Sequence, residues 1–109
     1  MNVGNIRHPG PWFKVIATSR KSQVATMKLA PGKSSGPKGN EHPASEQVLL
    51  VVEGEVTAEI GDERATLRAG DVVIVPAGTA HRFVNNGASA ALTLNVYAPP
   101  AYDEDEDGA

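Results

Sequence analysis

Residues 70–85 read GDVVIVPAGTAHRFVN, and this stretch decides the fold. It contains two short apolar segments rich in β-branched residues, separated by a corner that holds Pro76 and Gly78. Proline restricts φ and glycine accepts positive φ, so the pair turns the chain sharply between the two segments. The stretch therefore predicts two short strands joined by a tight turn, with His81 beginning the second strand and pointing inward.

Outside this stretch, apolar residues also recur at every second position, which is the period of half-buried strands and not of helices. The alternation runs through residues 55–60 and 64–69 on either side of Gly61 and Asp62, which predicts a hairpin with one solvated face. No window of eleven residues without Gly or Pro has helical spacing. Further strands are predicted at residues 12–18, 23–30, 47–53, 71–75, 81–84 and 90–97.

The length of 109 residues fits one domain, and about eight short strands at regular spacing favour a β-sandwich or small barrel. The absence of cysteine excludes thiol nucleophiles, zinc fingers, iron–sulfur clusters and disulfide scaffolds. We assign residues 1–102 to the barrel with an N-terminal strand arm. Residues 103–109 contain the run DEDED and are predicted to form an acidic disordered tail.

The charges are divided unevenly along the chain. The first 40 residues carry seven Lys or Arg and no Asp or Glu, whereas the other 69 carry three basic and thirteen acidic residues. The seven basic residues are spaced along the segment and not clustered, so we expect no nucleic-acid partner. The longest apolar run, residues 48–52, is too short to span a bilayer, and no signal peptide is apparent. We therefore expect no membrane partner and a cytoplasmic location.

Residues 70–85 resemble the second motif of the cupin superfamily: Gly, five residues, Pro, one residue, Gly, two residues, His, three residues, Asn. Gly70, Pro76, Gly78, His81 and Asn85 fill every fixed position. The resemblance implies an all-β fold, the double-stranded β-helix of an RmlC-like jelly-roll barrel. It also implies a small single-domain cupin of the conserved-barrel type.

The first cupin motif is Gly, five residues, His, one residue, His, three or four residues, Glu, six residues, Gly, and this sequence is similar to it only in part. If Gly54 is the last position, Gln47 stands in the Glu position, His42 in the second His position and Asn40 in the first. An alignment that starts at Gly36 instead makes His42 the first His but puts apolar residues at the other ligand positions. The Gly54 alignment is therefore preferable.

The resemblance implies a metal site made of His42, Gln47, His81 and Asn40. Imidazole nitrogens and amide oxygens that converge in a barrel can hold a divalent transition metal, and Mn, Fe, Zn, Ni and Cu all remain open. Amides in place of a histidine and a glutamate remove a strong nitrogen donor and the negative charge. We therefore expect a weaker site with a more Lewis-acidic metal.

Two carboxylates, Glu41 and Glu46, lie beside the expected ligands in sequence. Side chains alternate across a strand, so if Asn40, His42 and Gln47 point inward, both glutamates point outward. A one-residue bulge could reverse either glutamate, which keeps both as minor candidates.

The same alternation predicts which residues line the pocket. With Gln47 inward, Leu49 and Val51 share its face, and with His81 inward so does Phe83. Met27, Leu94 and Val96 are the candidates to close the bottom. Such a pocket is apolar with one polar end, which suits a small-molecule ligand or substrate.

Other features receive structural roles. Asn85 is expected to satisfy backbone groups at the Asn-Asn-Gly turn, and His8 is expected at the surface. Residues 31–40, PGKSSGPKGN, are predicted to form a flexible loop that delivers the chain to His42. Trp12 and Phe13 could cover either the pocket mouth or a partner.

Two runs, residues 48–52 and 72–75, are apolar on both faces. A strand covered on both sides needs a second layer outside the barrel, and in a small protein that layer is often another subunit. We therefore expect a homodimer.

Three functions from different classes are compatible with these features. The first is a metal-binding cupin, as an enzyme of the isomerase, lyase or dioxygenase type acting on a small polar molecule, with its catalytic residues unknown. The second is a metal-free binding or sensing module without catalytic activity. The third is a structural dimer, which predicts no pocket.

Overall fold

The computed structural model describes residue 1 and residues 3–103. The predicted acidic tail therefore lies, apart from Asp103, outside the described residues. Within them the chain forms eight strands and no helix, and hence none long enough to cross a membrane. The strands are β1 Phe13–Thr18, β2 Gln23–Leu29, β3 Glu46–Glu53, β4 Glu55–Ile60, β5 Glu63–Arg68, β6 Val72–Val75, β7 His81–Val84 and β8 Ala91–Ala98.

The strands form two antiparallel sheets. One has five strands in the order β1-β2-β8-β3-β6, and the other has three in the order β5-β4-β7. The two runs around the Pro76 corner enter different sheets, β6 the larger and β7 the smaller. This arrangement confirms the predicted all-β jelly-roll barrel, including the hairpin that turns at Gly61 and Asp62 between β4 and β5.

Between the sheets lies an aliphatic core closed by one large aromatic ring, Phe83 of β7. Leu49 and Val51 of β3 are fully buried in it, and Gln47 on the same face is also buried. The predicted alternation along β3 is therefore correct, since residues 47, 49 and 51 all face inward. The core fills the body of the barrel and leaves the polar inward residues at one end.

Gly54 forms the corner at which the chain leaves the larger sheet and enters the smaller one. Its φ is +76°, and a Cβ built there would lie 2.7 Å from the carbonyl oxygen of Ala90 and 3.0 Å from Cα of Ala91. Both the backbone conformation and the close approach of β8 require glycine at this position.

Residues 31–40, predicted to form a flexible loop, lie alongside β7 and pair with it at several points. Ser34 and Gly39 form bridges with Val84 and His81 of β7. The backbone amide of Ser35 also donates to the carbonyl of Phe83 at 2.8 Å. These hydrogen bonds extend the smaller sheet beyond β7 at isolated positions, and the glycine-rich segment carries the chain towards His42.

Asn85 has the predicted structural role. Its side chain is fully buried and donates from Nδ2 to the carbonyls of Leu29 and Ser89, at 2.7 and 2.9 Å. Its Oδ1 accepts a hydrogen bond from the backbone of Gly87 at 2.8 Å. The amide thus ties the turn after β7 to the end of β2.

The outer face of the larger sheet is aliphatic where it crosses β8, β3 and β6. In two rungs across these strands, Val96, Val48 and Ile74 are neighbours, as are Leu94, Leu50 and Val72. Val72 and Ile74 are 58% and 54% exposed. The N-terminal arm covers the adjoining part of this face, where His8 Nε2 bonds Thr26 Oγ1 at 2.7 Å and Arg7 pairs with Glu53 at the end of β3. We call the six aliphatic residues the outer sheet patch.

Candidate metal centre

A cavity of about 70 Å³ lies at the polar end of the barrel. His42, Gln47 and His81 line it, as the sequence predicts, and so do Met27 and Phe83. The other lining residues are Trp12, Phe13, Ser35, Glu41, Tyr97 and Tyr102. The site therefore combines two imidazoles and an amide with a mostly aromatic wall, and Trp12 and Phe13 lie at the pocket in this structure.

His81 is placed by β7 and oriented by a local hydrogen bond. It is the first residue of that strand and is 6% exposed. Its Nδ1 lies 2.8 Å from the carbonyl oxygen of Thr79. Because a carbonyl can only accept, the ring proton belongs on Nδ1, which leaves the Nε2 lone pair directed into the cavity.

His42 reaches the same cavity from the turn that precedes β3. Its Nδ1 lies 3.2 Å from the carbonyl oxygen of Ser45, so the same reasoning puts the proton on Nδ1 and the lone pair on Nε2. The centroids of the His42 and His81 rings are 4.6 Å apart. Two imidazoles from separate segments thus meet in one cavity, each oriented by a backbone carbonyl.

Gln47 directs its oxygen towards His42 because a buried amide chain holds its nitrogen. Gln47 Nε2 donates to Oδ1 of Asn95 at 3.1 Å, and Asn95 Nδ2 donates to Oγ1 of Thr93 at 3.1 Å. Gln47 Oε1 then lies 3.1 Å from His42 Nε2. Thr93 and Asn95 are fully buried on β8, and they fix the amide as supporting residues fix metal ligands.

The contact between Gln47 Oε1 and His42 Nε2 can be satisfied in two ways. With its proton on Nδ1, neutral His42 presents a lone pair to Gln47 Oε1, which also carries only lone pairs. The same two atoms are satisfied by a proton on Nε2 or by a cation that both can coordinate. His81 Nε2 adds a third lone-pair donor in the same cavity.

The prediction that strand alternation turns Glu41 outward is wrong. Residues 40–45 lie outside β3, in a turn, so alternation does not apply to them. Glu41 Oε2 lies 3.9 Å from Nε2 of His81, while half of the side chain, 51%, stays exposed. Glu41 therefore supplies a carboxylate at the cavity mouth. Glu46, the first residue of β3, is exposed and faces away, as alternation predicts.

Asn40 and two of the expected lining residues lie elsewhere. Asn40 is exposed and is not among the residues that line the cavity, because the chain pairs with β7 at Gly39 and then turns outward. Leu49 and Val51 belong to the buried core beneath the cavity and do not line it.

Sequence reasoning missed two tyrosines at the site. Tyr97 follows the predicted strand pattern at the end of β8, and its ring lies 5.0 Å from that of His42. Burial raises the pKa of the Tyr97 hydroxyl well above its usual range, and the hydrogen bond to Tyr102 and the charge of Glu41 act in the same direction. Tyr97 is therefore a neutral phenol. The expectation that Leu94 or Val96 faces inward is wrong, because the register of β8 puts Tyr97 inward beside Gln23 and Gln47 and turns both aliphatic residues to the outer face.

A larger cleft of about 600 Å³ opens between the edges of β5 and β6. Its walls are mainly aliphatic, with Ile60, Leu67 and Val73 among them, and none of its lining residues is a histidine. We place the chemistry in the smaller cavity because the histidine lone pairs converge there.

Among the described residues, no group of three or more His, Cys, Asp or Glu side chains is positioned to hold a metal ion. The donors that do converge are two histidines and an amide oxygen, with Glu41 outside them. The set thus carries less negative charge than a typical transition-metal site, as the substitutions in the first motif predict.

The family profile described as Cupin domain matches residues 25–97, which is more than half of the chain and runs from within β2 to near the end of β8. The chain belongs to the cupin family. This membership confirms the resemblance of residues 70–85 and the double-stranded β-helix prediction. The cupin fold is compatible with small-molecule binding and with oligomerisation, and cupins often bind transition metals.

Known proteins resemble this cupin along most of its length. The structure of TT1209 from Thermus thermophilus has a TM-score of 0.79 and 30% identity, and the match covers 91% of this chain and 98% of that one. BH2720 from Bacillus halodurans has a TM-score of 0.86 at 23% identity, covering 94% and 81%, which shows the shared fold. The uncharacterised protein L612 of Acanthamoeba polyphaga mimivirus is 30% identical over 104 residues, 91% of this chain and 64% of its own.

The chain spans between 36% and 64% of the length of three curated relatives that it matches. Their length beyond the match adds parts that this chain does not share. The similarity therefore establishes family and fold, while activity and partners are questions for the site itself.

Proposed function

We propose that this cupin binds a divalent transition metal through Nε2 of His42, Nε2 of His81 and Oε1 of Gln47, beside a space for a small polar molecule. The observation that supports this proposal is the orientation of the two imidazoles. Each keeps its Nδ1 proton on a backbone carbonyl and presents its Nε2 lone pair to the same cavity. Metal-binding histidines are held in this way.

The residues fit a first-row metal in donor type. Imidazole nitrogen suits Zn, Cu, Fe and Ni, while amide and carboxylate oxygens also suit Mn. The unfavourable approach of Gln47 Oε1 to His42 Nε2 at 3.1 Å becomes favourable when both coordinate one cation. Glu41, half exposed and 3.9 Å from His81 Nε2, is the carboxylate that can offset the charge.

A bound divalent metal would supply Lewis acidity, which suits isomerase, lyase or dioxygenase-type chemistry on a small polar molecule. The chain's own groups orient and enclose such a molecule. Tyr97 is a neutral hydroxyl beside His42, and aromatic side chains form most of the cavity wall.

The test is metal analysis of the protein purified without chelator and then titrated with Co²⁺. The expected result is near-stoichiometric metal in the wild type and its loss in His42→Ala and in His81→Ala, because each removes a donor. His8→Ala is the matched control, since His8 bonds Thr26 on the outer face and lies outside the cavity. A folded wild type that binds no metal, or variants that bind like the wild type, would contradict the proposal.

The alternative is a metal-free module that binds a small molecule. The observation in its favour is that His42 can satisfy both Ser45 and Gln47 without metal if both ring nitrogens carry protons. Under this alternative, the wild type contains no metal and Co²⁺ leaves its melting temperature unchanged. A bound metal would instead raise the melting temperature by linkage.

We also propose that two copies associate through the outer sheet patch. Its six aliphatic side chains lie in two adjacent rungs, and two of them are more than half exposed at the edge strand β6. Contiguous apolar surface of this kind is usually covered. A symmetric partner would bring the same flat aliphatic surface, so that each copy covers the other.

A further inference from the structure

The residues after β8 turn back across the mouth of the cavity. We call residues 99–102 the C-terminal strap. Ser45 Oγ donates to the carbonyl of Pro99 at 2.7 Å, which fixes the start of the strap next to the turn that carries His42. The strap is thus attached to the same segment that positions the metal ligand.

Gln23 holds the far end of the strap. Its Oε1 accepts from the backbone amides of Ala101 and Tyr102, at 3.1 and 3.0 Å, and its Nε2 donates to the carbonyl of Tyr102 at 2.8 Å. Gln23 is fully buried, so these bonds form without competition from water. Three hydrogen bonds to one side chain thus hold two consecutive residues of the strap, and we call this set of bonds the Gln23 latch.

The latch places the Tyr102 ring against the cavity. Its centroid lies 4.9 Å from Phe13, 5.1 Å from Tyr97 and 6.5 Å from His42. Tyr102 also lines the cavity itself. The ring therefore forms a wall that comes from a segment distant in sequence and attached mainly through the side chains of Gln23 and Ser45.

The enclosed space is small. A volume of about 70 Å³ compares with roughly 30 Å³ for one water in the liquid. No Lys or Arg is among the described residues that line it, and the one carboxylate is that of Glu41 at the mouth. With the strap closed, the cavity accepts a ligand of only a few atoms, and it offers no cationic side chain to a multiply charged anion.

We infer that Tyr102 is a specificity-determining residue that limits the ligands of this site to small molecules, and that Gln23 is the positioning residue that holds it there. The inference rests on the proposed function insofar as ligands enter this cavity. Beyond the proposed function, the C-terminal strap, and not the barrel, sets the size of the ligand that the cavity accepts. Loss of the Tyr102 ring opens the cavity to larger molecules without changing the metal ligands.

The first test measures access without any metal. Protein dialysed against chelator is treated with diethyl pyrocarbonate, and modification of each histidine is followed by peptide mass spectrometry. Tyr102→Ala and Gln23→Met are expected to accelerate modification of His42 and His81 by about tenfold, as for a site exposed by local opening. Tyr102→Phe keeps the ring, so its His42 and His81 are expected to be modified as slowly as those of the wild type. His8 is the internal control.

The second test measures ligand size on Co²⁺-loaded protein. Imidazole and 4-phenylimidazole present the same donor and differ in bulk. Imidazole is expected to change the Co²⁺ visible spectrum in both the wild type and Tyr102→Ala, whereas 4-phenylimidazole does so only in Tyr102→Ala. Equal responses of the two proteins to 4-phenylimidazole would overturn the inference.

The two tests separate this inference from the proposed function. If the protein binds no Co²⁺ but Tyr102→Ala accelerates histidine modification as expected, the metal site is refuted and the role of Tyr102 as a cavity wall is supported. If the protein binds Co²⁺ but His42 is modified equally fast in the wild type and in Tyr102→Ala, the metal site is supported and the role of Tyr102 as a cavity wall is refuted. If Gln23→Met fails to fold, Tyr102→Ala and Tyr102→Phe decide alone.

Discussion

At the scale of single residues, this site depends on which atom of each polar side chain carries hydrogen. Backbone carbonyls of Ser45 and Thr79 hold the two imidazoles, and Asn95 holds the amide of Gln47. Each hydrogen bond uses an N–H group of the side chain and leaves a lone pair on its other polar atom facing the cavity. The result is a buried set of acceptors, which is what a cation requires.

The substitution Gln47→Glu should strengthen metal binding. It adds a negative charge beside two neutral imidazoles, and Asn95 can reverse its amide to donate to the new carboxylate because the Thr93 hydroxyl can donate as well as accept. We expect the Co²⁺ dissociation constant, measured by calorimetry, to fall by at least roughly tenfold, about 1.4 kcal/mol.

Glu46→Gln is the neighbouring control for this substitution. It alters an exposed carboxylate that faces away from the cavity, so the Co²⁺ affinity should stay at the wild-type value. Unchanged or weaker Co²⁺ binding in folded Gln47→Glu would show that Gln47 is not a ligand.

At the scale of strands and turns, glycines decide where the chain may change sheets. Gly54 and Gly70 both have positive φ, at +76° and +96°. They differ in surroundings, because a Cβ at Gly54 meets the backbone of β8 whereas a Cβ at Gly70 has no atom within 4 Å. Alanine at Gly70 therefore tests backbone strain alone, whereas alanine at Gly54 tests strain together with steric contact.

Gly54→Ala should therefore destabilise the fold more than Gly70→Ala. Strain alone predicts a loss of roughly 1 to 2 kcal/mol at Gly70. At Gly54 the contact with Ala90 and Ala91 adds to it, and we expect about 3 kcal/mol or more. Urea unfolding followed by Trp12 fluorescence measures both free energies. Equal losses would mean that β8 moves aside at no cost.

At the scale of the whole molecule, aliphatic side chains lie both inside the barrel and on its outer face. The core is sealed between the sheets, but the outer sheet patch is on the opposite side of the larger sheet. The N-terminal arm covers the neighbouring part of that face and leaves the patch open. Association of two copies would bury it.

Ile74→Lys should convert a dimer into a monomer. A charge at the 54% exposed centre of the β6 edge is tolerated in the single chain and must be desolvated in a symmetric interface. Light scattering after gel filtration should give twice 11.4 kDa for the wild type and 11.4 kDa for the variant.

Thr66→Lys is the control for Ile74→Lys. It places the same charge on an exposed residue of β5, in the other sheet, and should leave the dimer intact. A wild type that is monomeric at high concentration would refute the interface.

Much of this cupin was predictable because its signals are local. The glycine and proline positions of residues 70–85 fix turns through φ alone, and the two-residue alternation fixes which side of each strand is buried. The motif resemblance supplied His81 and Gln47, and alternation then put the fully buried Phe83 on the same face as His81. Alternation gave the wrong side for Glu41 because that rule holds only within a strand, and residues 40–45 form a turn.

The sequence by itself determined the eight strands, the corner at Pro76 and the meeting of His42 with His81 through the motif resemblance. Only the tertiary structure decided that Glu41, Tyr97 and Tyr102 join these histidines at one end of the barrel. The turn with Glu41 is more than 50 residues away in sequence from the end of β8 and the C-terminal strap, which carry the two tyrosines. Their meeting is set by the packing of the two sheets and by the hydrogen bonds of Gln23 and Asn95, which no local pattern encodes.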